Sequence, residues 1–117
     1  MSHTQEIARE DWESFLNHFS EDHREVTIRM EVSDDTLGAQ PVAGPLALLG
    51  LGLETKGSEQ DGIDISLQAR GSGGVMNHRI QRPTRVYLLE DAESGADCLS
   101  IEDADHRATR IFVPTLH

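Results

Sequence analysis

Cys98, in the stretch ADCLSIED, is the only cysteine in the chain, so nucleophilic chemistry is weighed there first. A thiol becomes a nucleophile when a neighbouring cation or base lowers its pKa. Asp97 and Glu102 stand close in sequence and would raise it, so a structural strand cysteine is expected. No Gly-x-Ser-x-Gly elbow promotes a serine in its place. Histidines and carboxylates crowd NHFSEDH, where His18 and Asp22 stand four apart and share one face of any helix that runs so far. That pair carries the enzyme alternative, a small metal-dependent enzyme using histidine and carboxylates near a helix end. Its spacing is generic in a chain with 21 acids. DADH, residues 103–106, has the acidic alternation of a calcium loop but neither its glycine nor its distal glutamate, and reads as a hairpin turn. GSGG, residues 71–74, has no following Gly-Lys-Ser/Thr and no strand-to-helix setting, so it reads as a hairpin loop rather than a phosphate cradle. These readings assign no catalytic residue, no metal ligand and no cofactor.

The sharper feature is a basic island. From Ile65 through Leu89 the chain holds Arg70, Arg79, Arg82 and Arg85 and no acid, while the remainder carries 6 basic against 21 acidic residues. If Ile80, Val86 and Leu88 face a core, strand alternation puts Arg79, Arg85 and Tyr87 on the outer face and His78 on the inner one. Arginine and tyrosine are enriched at the energetic centres of protein interfaces. The expected binding residues are therefore Arg70, Arg79, Arg82, Arg85 and Tyr87, engaged by a protein partner or a second copy of the chain. Attraction of that kind weakens as salt is added. The competing explanation is pairing of these arginines with the chain's own carboxylates, which contributes little at exposed sites. Nucleic acid is disfavoured, because a chain at net charge -11 repels phosphate and offers only Tyr87 for stacking near the island.

That net charge arises from 21 acids against nine arginines and a single lysine, Lys56. An acidic, lysine-poor surface keeps a protein soluble by self-repulsion, and is a device of proteins that work in concentrated salt. No apolar run reaches the roughly 18 residues of a membrane span, and MSHTQEIARE lacks the basic and apolar regions of a signal peptide. A cytoplasmic protein without a membrane partner is expected. One cysteine permits no intrachain disulfide.

The elements that must position these residues begin with a helix over about 8–20. Trp12, Phe15, Leu16 and Phe19 recur at i, i+3, i+4 and i+7, with Ala8 on the same side, and three of the five aromatics lie there. Beyond it the period drops to 2. EVTIRMEV, LLGLGLET, IDISLQAR, VMNHRIQR, TRVYLLE, DCLSIED and RATRIFV read as strands, with a short extended piece near Val42. KGSEQDG, GSGG, DAESGA and DADH separate them, and Pro83 interrupts the ladder after VMNHRIQR. In LLGLGLET, Gly50 and Gly52 imply a bend or a close backbone approach. The expected fold is α+β: one domain over 1–117, with the N-terminal helix packed on a strongly bent antiparallel sheet or small partly open barrel of about six strands spanning 25–113.

REDWESFLNHFSEDH running into a V-T-I-x-M-E-V strand, together with HRIQRPTRVYLLE, resembles a family of small bacterial proteins of unknown function (DUF5335-like). Where such proteins begin the helix with proline, this chain has Ala8. The resemblance implies a single-domain bacterial protein with no catalytic residue to carry over. It also implies that His78 and Pro83 serve the architecture, as Trp12 does in the helix stripe.

Overall fold

The computed structural model describes residues 2–42, 45–54, 62–71, 73–91 and 95–114. In chain order the elements are β1 (Ser2–Ile7), a 3-10 turn (Arg9–Asp11), α1 (Trp12–Asp22), β2 (Thr27–Asp34), β3 (Gly38–Pro41) and β4 (Leu46–Leu53). They continue with β5 (Ile63–Ala69), β6 (Val75–Ile80), β7 (Pro83–Asp91), β8 (Ala96–Asp103) and β9 (Ala108–Pro114). The turn expected over KGSEQDG lies largely outside the described residues, and so do residues 92–94 of DAESGA and residue 72 of GSGG.

The expected α+β fold with about six strands is corrected by this arrangement. Among the described residues the protein is mainly β, with one short helix and nine strands in a single open antiparallel sheet of order β1-β7-β8-β9-β2-β4-β5-β6, with β3 beside β2. The sheet is not a barrel, because β1 and β6 end the ladder without pairing to each other. Two strands account for much of the miscount, although the short extended piece expected near Val42 lies directly beside the observed β3, Gly38–Pro41. β1 carries one buried apolar residue, Ile7, and β3 is exposed throughout, so neither shows the alternation that betrays a strand. Both form because a neighbour supplies a backbone ladder. β1 pairs with β7 from Ser2↔Asp91 to Ile7↔Val86, and β3 pairs with the end of β2.

The sheet folds over on itself at β2. One edge of β2 pairs with β9 over Arg29–Ser33, whereas its other edge pairs with β4 at Thr27 and Ile28 and with β3 from Glu31 onward. Laid flat, such a sheet would be only ~10 Å thick. The molecule measures 36 × 35 × 33 Å, so its two halves enclose a common interior. Into it point Val86, Leu99, Ile101, Ile111 and Met30 from one half and Leu46, Leu48, Ile63, Ile65 and Leu67 from the other.

The helix closes this interior by packing against β4. Trp12, Leu16 and Phe19 are buried and Phe15 half-buried, as their spacing predicts, while Ala8 is exposed at the N-cap. Each buried large apolar side chain stabilises the fold by roughly 1.5–3 kcal/mol. The Trp12 indole N–H donates to the carbonyl of Ile7 at 3.0 Å, which ties the helix start to β1. At the other end the Leu51 amide donates to the Ser20 hydroxyl at 3.1 Å.

Within β4 the register shifts between Leu48 and Gly50. This bulge changes which phase of the strand is buried, so that Leu46, Leu48 and Leu51 are buried while Leu49 and Leu53 are only half-buried. A strict alternation of Leu49, Leu51 and Leu53 therefore misses the inward set. The bend expected from the two glycines is present as the bulge. Gly50 has open space where a Cβ would stand, and Gly52 looks toward Asn17 of the helix.

Candidate functional site

His78 and Pro83 lie where the chain passes from one half of the sheet to the other. His78 is half-buried on the inner phase of β6, opposite Ile65, and shares a hydrogen bond of 3.3 Å with the buried Thr109 of β9. Burial lowers the pKa of its imidazole. Four residues later Arg82 adopts φ 52°, its carbonyl accepts from the Ala104 amide at 3.0 Å, and the buried Pro83 opens β7. These residues lie at a corner of the fold.

The arginines of the basic island separate in space. Arg70, at the end of β5, donates to the Glu25 carbonyl at 2.6 Å and the Thr27 hydroxyl at 3.1 Å. Arg79 faces Asp64 across the β5–β6 ladder in a 2.9 Å ion pair, and Arg82 meets Asp105 at 2.9 Å. Arg85 lies on the exposed phase of β7 and donates to the Tyr87 hydroxyl at 3.1 Å. That bond, with Glu6 and Glu102 nearby, raises the pKa of its guanidinium further.

Arg85 and Tyr87 belong to a wider surface that strand register assembles from five strands. Across the outer face, one row reads Thr4, Leu89, Cys98, Phe112 and Arg29. The next reads Glu6, Tyr87, Ser100, Arg110 and Glu31, and a third brings Arg85 beside Glu102, Ala108 and Ser33. Ser100 and Cys98, at the centre, are only 5% and 8% exposed although they point away from the core. Long neighbours on β7 and β9 cover these two small side chains. Arg29 stacks over the Phe112 ring at 4.0 Å and pairs with Glu31 at 2.8 Å. Leu89 is 38% exposed on the same face.

Two properties distinguish this face. The two aromatics outside the helix, Tyr87 and Phe112, both stand on it. Its described side chains also include three arginines (Arg29, Arg85, Arg110) and three glutamates (Glu6, Glu31, Glu102), and register puts Asp91 at the same phase of β7, so this face carries one excess acid in a chain of net charge -11. Reading only the acid-free segment misses Arg29, Arg110 and Phe112. The signal for them is phase: in RATRIFV the buried set is Thr109, Ile111 and Val113, which turns Arg110 and Phe112 outward.

Cys98 sits under this face and is not activated. Its thiol is pushed up to about 11, chiefly by burial, with Glu31 adding to the effect and Arg110 and Arg29 opposing it. Asp97 and Glu102, the acids expected to raise it, are not the cause. At the helix end, His18 is exposed and its ring Nδ1 donates to the Ser14 carbonyl at 2.8 Å. Among the described residues no group of three or more histidine, cysteine or acidic side chains is placed to hold a metal ion.

DADH forms the β8–β9 hairpin turn, with Asp103 Oδ1 accepting from the amides of Asp105 and Arg107 at 2.9 and 3.0 Å. Asp34 does the same for the β2–β3 turn, and the amides of Leu37 and Thr36 hold its carboxyl below the usual range. Between these turns and the start of β7 lies an open polar groove of about 600 Å³, bordered by Asp35, Thr84, Arg85, His106 and Arg107. GSGG joins β5 to β6, with Gly71 and Gly73 at φ 97° and 75°.

Comparison with known proteins bears on the whole chain. The sequence profile of a family of unknown function (DUF5335) matches residues 3–114, and the chain belongs to that family. It is also 27% identical over 110 residues to an uncharacterized protein of Aquifex aeolicus, covering 94% of this chain and 89% of that one. No solved structure matches it.

Proposed function

We propose that this member of the family is a non-catalytic interaction module that meets a protein partner with the outer face of β1, β7, β8, β9 and β2. The observation that carries this reading is the pairing of Tyr87 with Arg85 and of Phe112 with Arg29 on one open sheet face, with Leu89 between them. Aromatic and arginine side chains are those that anchor interfaces, and the strands beneath hold them rigidly, so little ordering entropy is lost on contact. Arg85 and Tyr87 are the members of the basic island that serve this surface. Arg79 and Arg82 are paired with carboxylates of the chain itself, as a strongly acidic protein makes easy, and Arg70 is engaged by the Glu25 carbonyl and the Thr27 hydroxyl.

At the helix end the Nδ1 of His18 is held by the Ser14 carbonyl and its Nε2 stays open, yet among the described residues no group of three metal-ligating side chains gathers there to carry the metal-dependent alternative. The test is photo-crosslinking in the native host from a benzophenone side chain placed at Tyr87 or Leu89, with Gln68 on the other half of the sheet as the control. Adducts confined to positions 87 and 89 are expected. Adducts from all three positions alike, or from none, overturn the reading.

A further inference from the structure

Two main-chain hydrogen bonds at the end of β5 fix the direction in which each residue of β6 turns its backbone. The Arg70 amide donates to the Pro45 carbonyl at 3.0 Å and the Ala69 amide to the Gly74 carbonyl at 2.9 Å, so alternate residues of β5 serve β4 and β6. In an antiparallel ladder, facing residues exchange hydrogen bonds at every second pair. From Ala69 and Gly74 the register runs on through Leu67↔Met76 and Ile65↔His78, which spends the main-chain groups of Met76 and His78 on β5. Those of Val75 and Asn77 point the other way. β6 ends the ladder, and among the described residues it pairs with β5 alone, so the N–H and C=O groups of Val75 and Asn77 form an open edge.

Sheet edges are ordinarily blunted by shortness, proline, lysine, bulges or inward-pointing charge. β3 follows that rule, with four residues that end in Pro41. β6 does not: VMNHRI contains no proline, lysine or acid, and its six residues follow β5 without a register shift. Its one arginine, Arg79, pairs with Asp64 of β5 at 2.9 Å. The edge is apolar as well. Among the described residues four large apolar side chains are exposed, and two of them, Val75 at 63% and Met76 at 37%, stand here. Met76 lies on the inner phase opposite the fully buried Leu67, so the side it leaves open is the one a further strand would cover.

From these observations we infer that β6 is a strand-addition site, where an extended segment of a partner protein joins the sheet as one more strand. Main-chain donors and acceptors that recur at every second residue are matched in spacing by another main chain, which identifies the occupant as an extended polypeptide. Alternation also sets the chemistry of its side chains. Those beside Met76 share the inner phase and are apolar. Those beside Asn77, whose carboxamide oxygen accepts from the Ser66 hydroxyl at 2.8 Å, share the outer phase and are polar. The site lies apart from the outer face of β1, β7, β8, β9 and β2 and does not depend on the reading of that face.

The test begins with amide exchange, followed by NMR on the full chain at two widely separated concentrations. Met76 and His78 should exchange slowly, and Val75 and Asn77 rapidly, at both. A library of random short peptides displayed on phage is then selected against the full chain, and the selected peptides are synthesised. They should slow exchange at Val75 and Asn77, and should bind about tenfold more weakly to Asn77→Pro, which removes one outward donor and spares the ladder to β5. Met76→Lys, which sets a charge on the inner phase of the edge, should weaken them likewise and decides the matter if the proline variant does not fold. Peptides that bind both variants as tightly as the natural chain, or a library that yields no binder, overturn the inference. Slow exchange at Val75 and Asn77 in the chain alone overturns it too: protection that deepens with concentration means that a second copy takes the edge, and constant protection means that the chain closes it.

Discussion

His78→Ala is the perturbation whose consequences follow most directly from the structure. The imidazole bridges the two halves of the folded sheet, and its partner Thr109 is 4% exposed. Removing the ring loses one hydrogen bond, worth about 1 kcal/mol net, and leaves a buried hydroxyl without a partner, at about 1–2 kcal/mol more. The expected loss is about 2–3 kcal/mol, or ~8–12 °C in melting temperature for a domain of this size. Thr109→Val acts on the other end of the bond but leaves a half-exposed ring that water reaches, so it should cost about 1 kcal/mol or less. The double variant should cost less than the sum of the two, since both remove one interaction.

The pH dependence carries an independent sign. Burial lowers the His78 pKa below its ordinary 6.5, so the unfolded chain binds the proton more readily than the folded one. Stability contributed by the neutral ring is complete above about pH 6.5, falls as pH drops through that value, and levels off below the folded pKa. His78→Ala should remove this component of the slope. Urea denaturation of the three variants and the natural chain between pH 5 and 8 reads all of these quantities. An unchanged midpoint for His78→Ala, a larger cost for Thr109→Val, or a pH slope that survives loss of the histidine would refute the reasoning.

Other outcomes follow from single features of the structure. Leu16→Ala empties a fully buried site beneath the helix and should cost about 3–4 kcal/mol by chemical denaturation; a loss under about 1 kcal/mol would mean that the helix does not close the core. With its thiol near 11 and little surface, Cys98 should resist a disulfide reagent at pH 8 in the native chain and react at once in urea, and rapid native reaction would contradict the covered face. Zinc titrated into the chain should show no micromolar site that depends on His18 and Asp22, and calorimetry of the natural chain against His18→Ala decides this. If the acid excess serves a life in salt, the melting temperature should rise between about 0.1 and 2 M KCl, and a flat or falling curve would discard that idea.

How much of this was legible in the sequence depended on whether an element advertises itself by burial. Trp12, Leu16 and Phe19 disclose α1, and Ile63, Ile65 and Leu67 disclose β5, because a core contact enforces the period of each. β1 and β3 carry no such mark. Their strand character resides in ladders offered by β7 and β2, which are contacts at long range that no local pattern encodes. The bulge at Leu48 and Gly50 hides the inward set of β4 in another way, by changing phase within one strand.

The candidate surface was half legible for a related reason. An acid-free segment draws attention to charge that is clustered along the chain, yet a sheet face is assembled across strands, from residues far apart in sequence. Arg29, Arg85 and Arg110 share one face through the β2–β9–β8–β7 ladder, whereas Arg79 and Arg82, nearer to Arg85 in sequence, turn to Asp64 and Asp105. The more useful signal is an aromatic in the polar phase of a strand. Burial already fills the inward phase of β9 with Thr109, Ile111 and Val113, so Phe112 has no core role to explain it. Its ring is instead stacked under Arg29, and with Leu89 and Tyr87 it leaves apolar surface open beside paired charges. A side chain that the core does not require, in the polar phase of a strand, is the signal on which the proposed contact surface rests.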